Sequence, residues 1–113
     1  MHELSIVLSI IETAEEQVRK HRAHRVESID LAIGDLAGIE RPALDFAWEA
    51  AAPDTVLSNA QRKIFAIPAR ARCMDCGYEF PVQELYEACP QCREYLTEII
   101  QGRELKIQSM TLV

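Results

Sequence analysis

Two C-x-x-C pairs constrain the fold of this chain more than any other feature. They are CMDC at 73–76 and CPQC at 89–92, and twelve residues separate them. Each pair places two sulfur atoms on one tight turn, and two such turns can complete a tetrahedral shell with Zn–S bonds of about 2.3 Å. The segment is too short to bury enough apolar surface alone, and structural zinc contributes roughly 10–16 kcal/mol to small modules. The pattern predicts a zinc module with four ligands, namely Cys73, Cys76, Cys89 and Cys92.

Other uses of paired cysteines remain open at this point. A thioredoxin-type redox site needs one C-x-x-C near a helix N-terminus rather than two, and disulfides are uncommon in the cytosol. A rubredoxin-like Fe(Cys)4 site is the main alternative, because CMDCGYEF and CPQC each resemble a rubredoxin knuckle. Rubredoxins separate the two knuckles more widely. After each second cysteine a left-handed residue is often needed, which suits Gly77 but not Arg93, so we expect strain of about 1 kcal/mol or a different turn there.

Charge and motif content exclude several classes of protein. The net charge of −6 argues against a nucleic-acid surface. No apolar run is long enough to span a bilayer, and the N-terminus lacks the basic stretch and apolar core of a signal peptide. We therefore expect a cytoplasmic protein that acts without membrane or nucleic acid. The sequence contains no GxxxxGK[ST], GxSxG or HExxH motif, so we expect neither P-loop nucleotide binding nor an enzyme.

Hydrophobic periodicity predicts two helices. Apolar residues at three- and four-residue steps predict an amphipathic helix over about 3–21, with Leu4, Val7, Leu8, Ile11, Ala14 and Val18 in its stripe. Pro42 fits the first turn of a second helix that ends before Pro53. The inward side of that second helix should carry Leu44, Ala47, Trp48 and Ala51, with Phe46 also in or near the core.

Alternating segments predict three strands. The first contains Ile29, Leu31 and Ile33. The second is 62–71, where Pro68 requires a sheet edge or a bulge. The last strand begins at Leu105. It must return to the sheet of the first domain so that the apolar face of the strand is covered.

The order of these elements predicts an α+β fold with two helices, three strands and an inserted zinc-ribbon-like module. We expect one domain formed by 1–72 plus 97–113 and a zinc-binding module at 73–96.

Four segments together carry a resemblance to a known family. They are MHELS at the start, IGDLAGIERPAL in the middle, CxxCG…CPxC, and GRELKIQSM near the end. In this order, over essentially the whole length, the chain resembles the HypA/HybF family of nickel metallochaperones. Arg93 departs from the common CPxCG form. The resemblance implies a nickel-binding α/β domain with a zinc module inserted before the last strand. It also implies work with a HypB-type GTPase, nickel delivery to the hydrogenase large subunit and, in some bacteria, urease maturation.

The same resemblance gives the first residues, MHEL, a chemical role. Family members bind nickel through the histidine after the initiator methionine, here His2. Met1 offers an amine, His2 an imidazole and an amide nitrogen, and Glu3 an amide nitrogen and a carboxylate. Tetragonal nitrogen and oxygen donors suit Ni(II). Glu3 also suits the positive end of the first helix, and Glu40, before the second helix, is a candidate nickel-proximal carboxylate.

Three functions follow as hypotheses. The first is a nickel metallochaperone for [NiFe]-hydrogenase maturation, with Ni(II) as cargo and Zn(II) as a structural metal. The second is a zinc-ribbon adaptor that contacts protein or nucleic acid and carries no nickel. The third is a rubredoxin-like electron carrier. The sequence leaves open whether the protein is a monomer or a homodimer, and whether its client is hydrogenase or urease.

Overall fold

The computed structural model describes residues 2–113 and contains, within them, two helices and six strands. The helices are α1 (Glu3–Lys20) and α2 (Arg41–Ala51), and the strands are β1 (Val26–Gly34), β2 (Gln61–Ile67), β3 (Arg70–Cys73), β4 (Glu79–Pro81), β5 (Thr97–Gln101) and β6 (Leu105–Leu112). The predicted α+β class is confirmed.

Helix α1 buries one face, but not quite the face that the sequence predicted. Its buried apolar residues are Val7, Ile10, Ile11, Ala14 and Val18. Leu4 and Leu8, which we placed in the stripe, are each 52% exposed. Successive residues turn by about 100° around a helix, so Leu8 points well away from the side that Val7 buries. Both leucines lie beyond the edge of the buried face, and Ile10 belongs to it instead.

The buried face of helix α2 also differs from the one that the sequence predicted. Leu44 and Ala47 are its buried residues, whereas Phe46, expected in or near the core, is 74% exposed. Phe46 follows Leu44 by two residues, which places it on the opposite side of the helix. Trp48 is half-buried, and the Arg62 guanidinium lies 5.1 Å from its ring centre, within reach of a cation–π contact.

The first sheet has the strand order β2-β1-β6. Its central strand, β1, carries much of the core, with Val26, Ile29, Leu31, Ala32 and Ile33 buried. The last strand of the chain pairs with β1, as we predicted from its need for a covered face. This pairing brings the C-terminal segment back beside the first strand.

The segment predicted as one strand, 62–71, is two strands in two sheets. The first of them, β2, ends at Ile67, and β3 begins at Arg70. Pro68 lies between them. Proline has no N–H to donate to a ladder, so pairing stops at this point. The second sheet has the order β4-β3-β5, in which Arg72 lies opposite both Glu79 and Glu98.

Contacts between residues divide the chain into two compact units. The first comprises the chain up to Leu31, Ile39–Ile64 and Ile107–Val113, and the second comprises Ala32–Gly38 and Phe65–Lys106. The second unit has its own core, formed by Ala69, Ala71, Cys73, Phe80, Val82 and Cys89. The division into 1–72 plus 97–113 and 73–96 stays a prediction about domains. Neither of the helices described in residues 2–113 has the length and hydropathy that a membrane span requires.

The contrast between Leu44 and Phe46 gives a stability test. Leu44→Ala removes a fully buried side chain and should lower the free energy of unfolding by about 2–5 kcal/mol. Phe46→Ala truncates an exposed ring and should change the free energy by less than about 0.5 kcal/mol. Urea denaturation of the zinc-loaded protein measures both values. A larger loss for Phe46→Ala than for Leu44→Ala would contradict the orientation of α2.

Candidate metal centres

The first cysteine pair lies on a tight turn at the end of β3. Cys73 is the last residue of that strand, and its N–H donates to the carbonyl of Tyr78 at 2.8 Å. Its carbonyl accepts the N–H of Gly77 at 2.9 Å. Gly77 has a φ of 80°, a left-handed conformation that costs glycine little. These two hydrogen bonds fold the turn so that Cys73 and Cys76 lie close together.

The second pair repeats this turn in detail. The N–H of Cys89 donates to the carbonyl of Glu94 at 2.9 Å, and the carbonyl of Cys89 accepts the N–H of Arg93 at 2.8 Å. Arg93 has a φ of 68°. The second knuckle therefore does not turn differently. Arg93 adopts the left-handed conformation that glycine adopts in the first knuckle, at a cost of about 1–2 kcal/mol.

The two turns bring the four sulfur atoms into one cluster. All four Sγ atoms lie within 4.8 Å of one another. The shortest separations join different knuckles: Cys73 to Cys92 at 3.4 Å, and Cys76 to Cys89 at 3.7 Å. Four sulfurs arranged tetrahedrally at about 2.3 Å from one ion are spaced by about 3.8 Å. The cluster therefore fits a single tetrahedral metal ion.

The pKa values of the four thiols indicate that the cluster needs a bound cation. The Cys76 N–H points at the Cys73 sulfur at 3.5 Å, and this hydrogen bond is the main cause that lowers the pKa of Cys73 to about 7. The Glu94 N–H lowers the pKa of Cys92, but burial and the three neighbouring thiols outweigh it and raise that pKa to about 12. Four thiolates cannot coexist here without a positive charge between them. Zinc satisfies this need, and a tetrahedral S4 shell also accepts iron.

The N-terminal residues form a different kind of surface. Met1 lies outside the described residues. His2 is exposed and precedes helix α1 as its N-cap residue, and its carbonyl accepts the N–H of Ile6 at 3.1 Å. Its imidazole therefore lies at the surface of the protein, where a metal ion can reach it.

Glu3 differs sharply from its neighbours because it is buried. Only 4% of the residue is exposed, and its Oε2 accepts the backbone N–H of Glu40 at 3.1 Å. This hydrogen bond is the main cause that lowers the pKa of Glu3, followed by a bond from its own backbone N–H, while burial opposes both. The side chain of Glu40 is exposed.

The structure thus brings Glu3 and Glu40 together, but through the backbone of Glu40 rather than through two carboxylates. Sequence reasoning missed this contact. The sequence carried a signal for the burial of Glu3, because Glu3 precedes Val7 by four residues and shares the buried side of α1 with it, but no signal for its partner.

Comparison with known proteins agrees with this architecture. The family described as "Hydrogenase/urease nickel incorporation, metallochaperone, hypA" matches residues 1–112. A curated relative from Pelodictyon phaeoclathratiforme, the hydrogenase maturation factor HypA, is 42% identical over 99% of this chain and 96% of its own length. The protein of the same name from Chlorobaculum tepidum is 38% identical over 99% of both chains.

Solved structures give the same result. The solution structure of the Ni metallochaperone HypA from Helicobacter pylori is 29% identical and superposes with a TM-score of 0.72, covering 100% of this chain and 98% of that one. A second solution structure, also of a HypA protein, is 29% identical with a TM-score of 0.75 and covers 100% of this chain and 97% of its own. The chain, matched from residue 1 to residue 112 by one family, belongs to the HypA family of metallochaperones.

Proposed function

We propose that this protein binds Ni(II) at its N-terminus and delivers it for the maturation of [NiFe]-hydrogenase. The observation that carries the proposal is the exposed His2 at the head of α1, in a chain that the HypA family matches over 112 residues. A carrier needs a site from which the metal can leave. An exposed site at the end of the chain meets this need better than a buried one.

The proposed nickel donors are mainly nitrogen atoms at the start of the chain. They are the amine of Met1, the imidazole and amide nitrogen of His2, and the amide nitrogen of Glu3. Adjacent nitrogens of this kind form small chelate rings around tetragonal Ni(II). The exposed carboxylate of Glu40 is a further candidate, since its backbone lies within hydrogen-bonding distance of Glu3.

The four-cysteine cluster is proposed to hold structural Zn(II). A structural zinc site is closed by four protein ligands, whereas a catalytic site keeps one position open. Cys73, Cys76, Cys89 and Cys92 supply a complete set of four within 4.8 Å. The β3 and β4 strands are only four and three residues long, so the metal would contribute much of the folding free energy of this segment.

The proposed partners follow from the chemistry that the chain lacks. Nickel delivery linked to GTP needs a phosphate-binding loop, and no such motif is present in this sequence. A HypB-type GTPase would supply the nucleotide chemistry, and the hydrogenase large subunit would receive the metal. Urease maturation proteins are an alternative client. We place these steps in the cytoplasm and assign no enzymatic activity to the chain.

An adaptor role is a second candidate, supported by one feature of the zinc segment. Tyr86, Tyr95 and Leu96 are 84%, 74% and 66% exposed, and exposed aromatic residues are typical of contact surfaces. An adaptor without nickel would retain zinc but bind no nickel at the N-terminus. An iron-containing electron carrier would be red, whereas the zinc protein is colourless.

Loss of one zinc ligand tests the thiolate site. Cys73→Ala should abolish stoichiometric zinc binding and unfold residues 73–95, because three ligands leave the shell open. Helix α1 should persist, since it lies in a different contact unit. Metal analysis and amide NMR measure the two effects. Stoichiometric zinc and a folded 73–95 segment in this variant would exclude four-thiolate ligation.

The matched residues after the two knuckles test the backbone strain. Arg93→Gly should raise the free energy of unfolding of the zinc-loaded protein by about 1 kcal/mol, because glycine adopts positive φ without strain. Gly77→Ala is the reverse control. A Cβ at Gly77 would meet no atom within 4 Å, so the backbone conformation alone should lower the stability by a similar amount. Changes of the opposite sign in guanidinium titrations would contradict the left-handed geometry.

Two changes at the N-terminus test the nickel site. His2→Ala removes the imidazole, and residues added before Met1 convert the amine into an amide while leaving every side chain intact. Each should weaken nickel binding at least about tenfold, whereas zinc content should stay native. Calorimetry on the untagged, zinc-loaded protein measures the affinity. Binding should also tighten as pH rises, because nickel displaces protons from its ligands.

The extended protein and His2→Ala distinguish ligation by the amine from the existence of an N-terminal nickel site. Native affinity in the extended protein would exclude ligation by the amine. Native affinity in His2→Ala as well would exclude the N-terminal site.

A further inference from the structure

Helix α2 begins without a carboxylate of its own. Its first turn contains Arg41, Pro42 and Ala43, and the N-cap residue Glu40 makes no side-chain capping hydrogen bond within the described chain. In a capping box, a Glu or Gln at the third helical position accepts the N–H of the N-cap residue. Ala43 occupies that position here and cannot do so. The N–H of Glu40 therefore has no acceptor within the first turn of α2.

Glu3 supplies this acceptor from a segment 37 residues away in sequence. Its Oε2 lies 3.1 Å from the Glu40 nitrogen, and the residue is 4% exposed. The negative charge also lies at the positive end of the α2 dipole, where it is stabilising. One side chain of α1 thus performs the capping function that the first turn of α2 lacks.

We propose that Glu3 is a positioning residue for nickel and that its carboxylate is not a nickel ligand. The inference rests on the proposed nickel function and deepens it. The carboxylate fixes the Glu40 segment beside the first turn of α1, where the backbone and imidazole donors of the nickel site begin. If the carboxylate turned away to bind a nickel ion, the Glu40 N–H would lose this acceptor and the start of α2 would lose its capping charge, which is unfavourable.

Three substitutions at one position distinguish positioning from ligation. Glu3→Gln keeps the length and an acceptor oxygen but loses the charge. Glu3→Asp keeps the charge but is one methylene shorter, so it no longer reaches the Glu40 N–H. Glu3→Ala loses both. Glu16→Gln is the matched control, because Glu16 is an exposed carboxylate on the same helix.

Nickel titration of the untagged, zinc-loaded variants by calorimetry gives the first readout. We expect Glu3→Gln and Glu16→Gln to bind close to native affinity, and Glu3→Asp and Glu3→Ala to lose about 10- to 100-fold. Rescue by glutamine but not by aspartate is the signature of a hydrogen-bond acceptor. An equal loss in Glu3→Gln and Glu3→Ala would overturn the proposal, since it would show that the charge is required. Native affinity in all three variants would overturn it too.

A second readout needs no nickel. Hydrogen exchange of the Glu40 amide, followed by NMR, should be slow in the native protein and in Glu3→Gln, and fast in Glu3→Asp and Glu3→Ala. Fast exchange in the native protein would overturn the contact itself. Failure of the nickel function is recognised separately, because the native protein would then bind no nickel while the Glu40 amide stayed protected. That result would remove the role in nickel positioning and leave a helix cap.

Discussion

Four sulfur atoms within 4.8 Å of one another are the constraint on which the second contact unit depends. The shortest S–S separations connect the first cysteine of each knuckle to the second cysteine of the other. A metal bound at the centre would therefore join two turns that are otherwise linked by a stretch with little regular structure. Cys73 and Cys89 also belong to the apolar core of this unit, so two of the four proposed zinc ligands also contribute to packing.

Features of the chain that arise from local patterns were predictable. Cysteine spacing is set by the geometry of one turn, and helix α2 has Pro42 in its first turn, as predicted, because proline suits that position. The return of the last strand to β1 followed from the need to cover an apolar face. The sequence predicts a bulge or a sheet edge at Pro68, whereas the chain changes sheets there. A proline in the sequence predicts that a ladder of backbone hydrogen bonds is interrupted, but it does not predict which sheet the chain joins next.

The remaining errors share one physical cause, which is that composition does not fix the direction of a side chain. Phe46 is aromatic but exposed, and Leu4 and Leu8 lie outside the buried face. Conversely, Glu3 is charged yet buried, because it shares a helix face with Val7 and meets a donor from a distant segment. Hydrophobicity identifies which residues favour burial, whereas helix phase decides which residues achieve it. A long-range partner such as the Glu40 N–H leaves no local signal in the sequence.

The left-handed Arg93 has a consequence for how this position can vary among related chains. A backbone cost of about 1–2 kcal/mol is small beside the roughly 10–16 kcal/mol that structural zinc contributes. Selection against a bulky residue after the last cysteine should therefore be weak while metal is plentiful. Under metal scarcity the same residue would increase the unfolded fraction, so tolerance at this position would depend on the zinc supply of the cell.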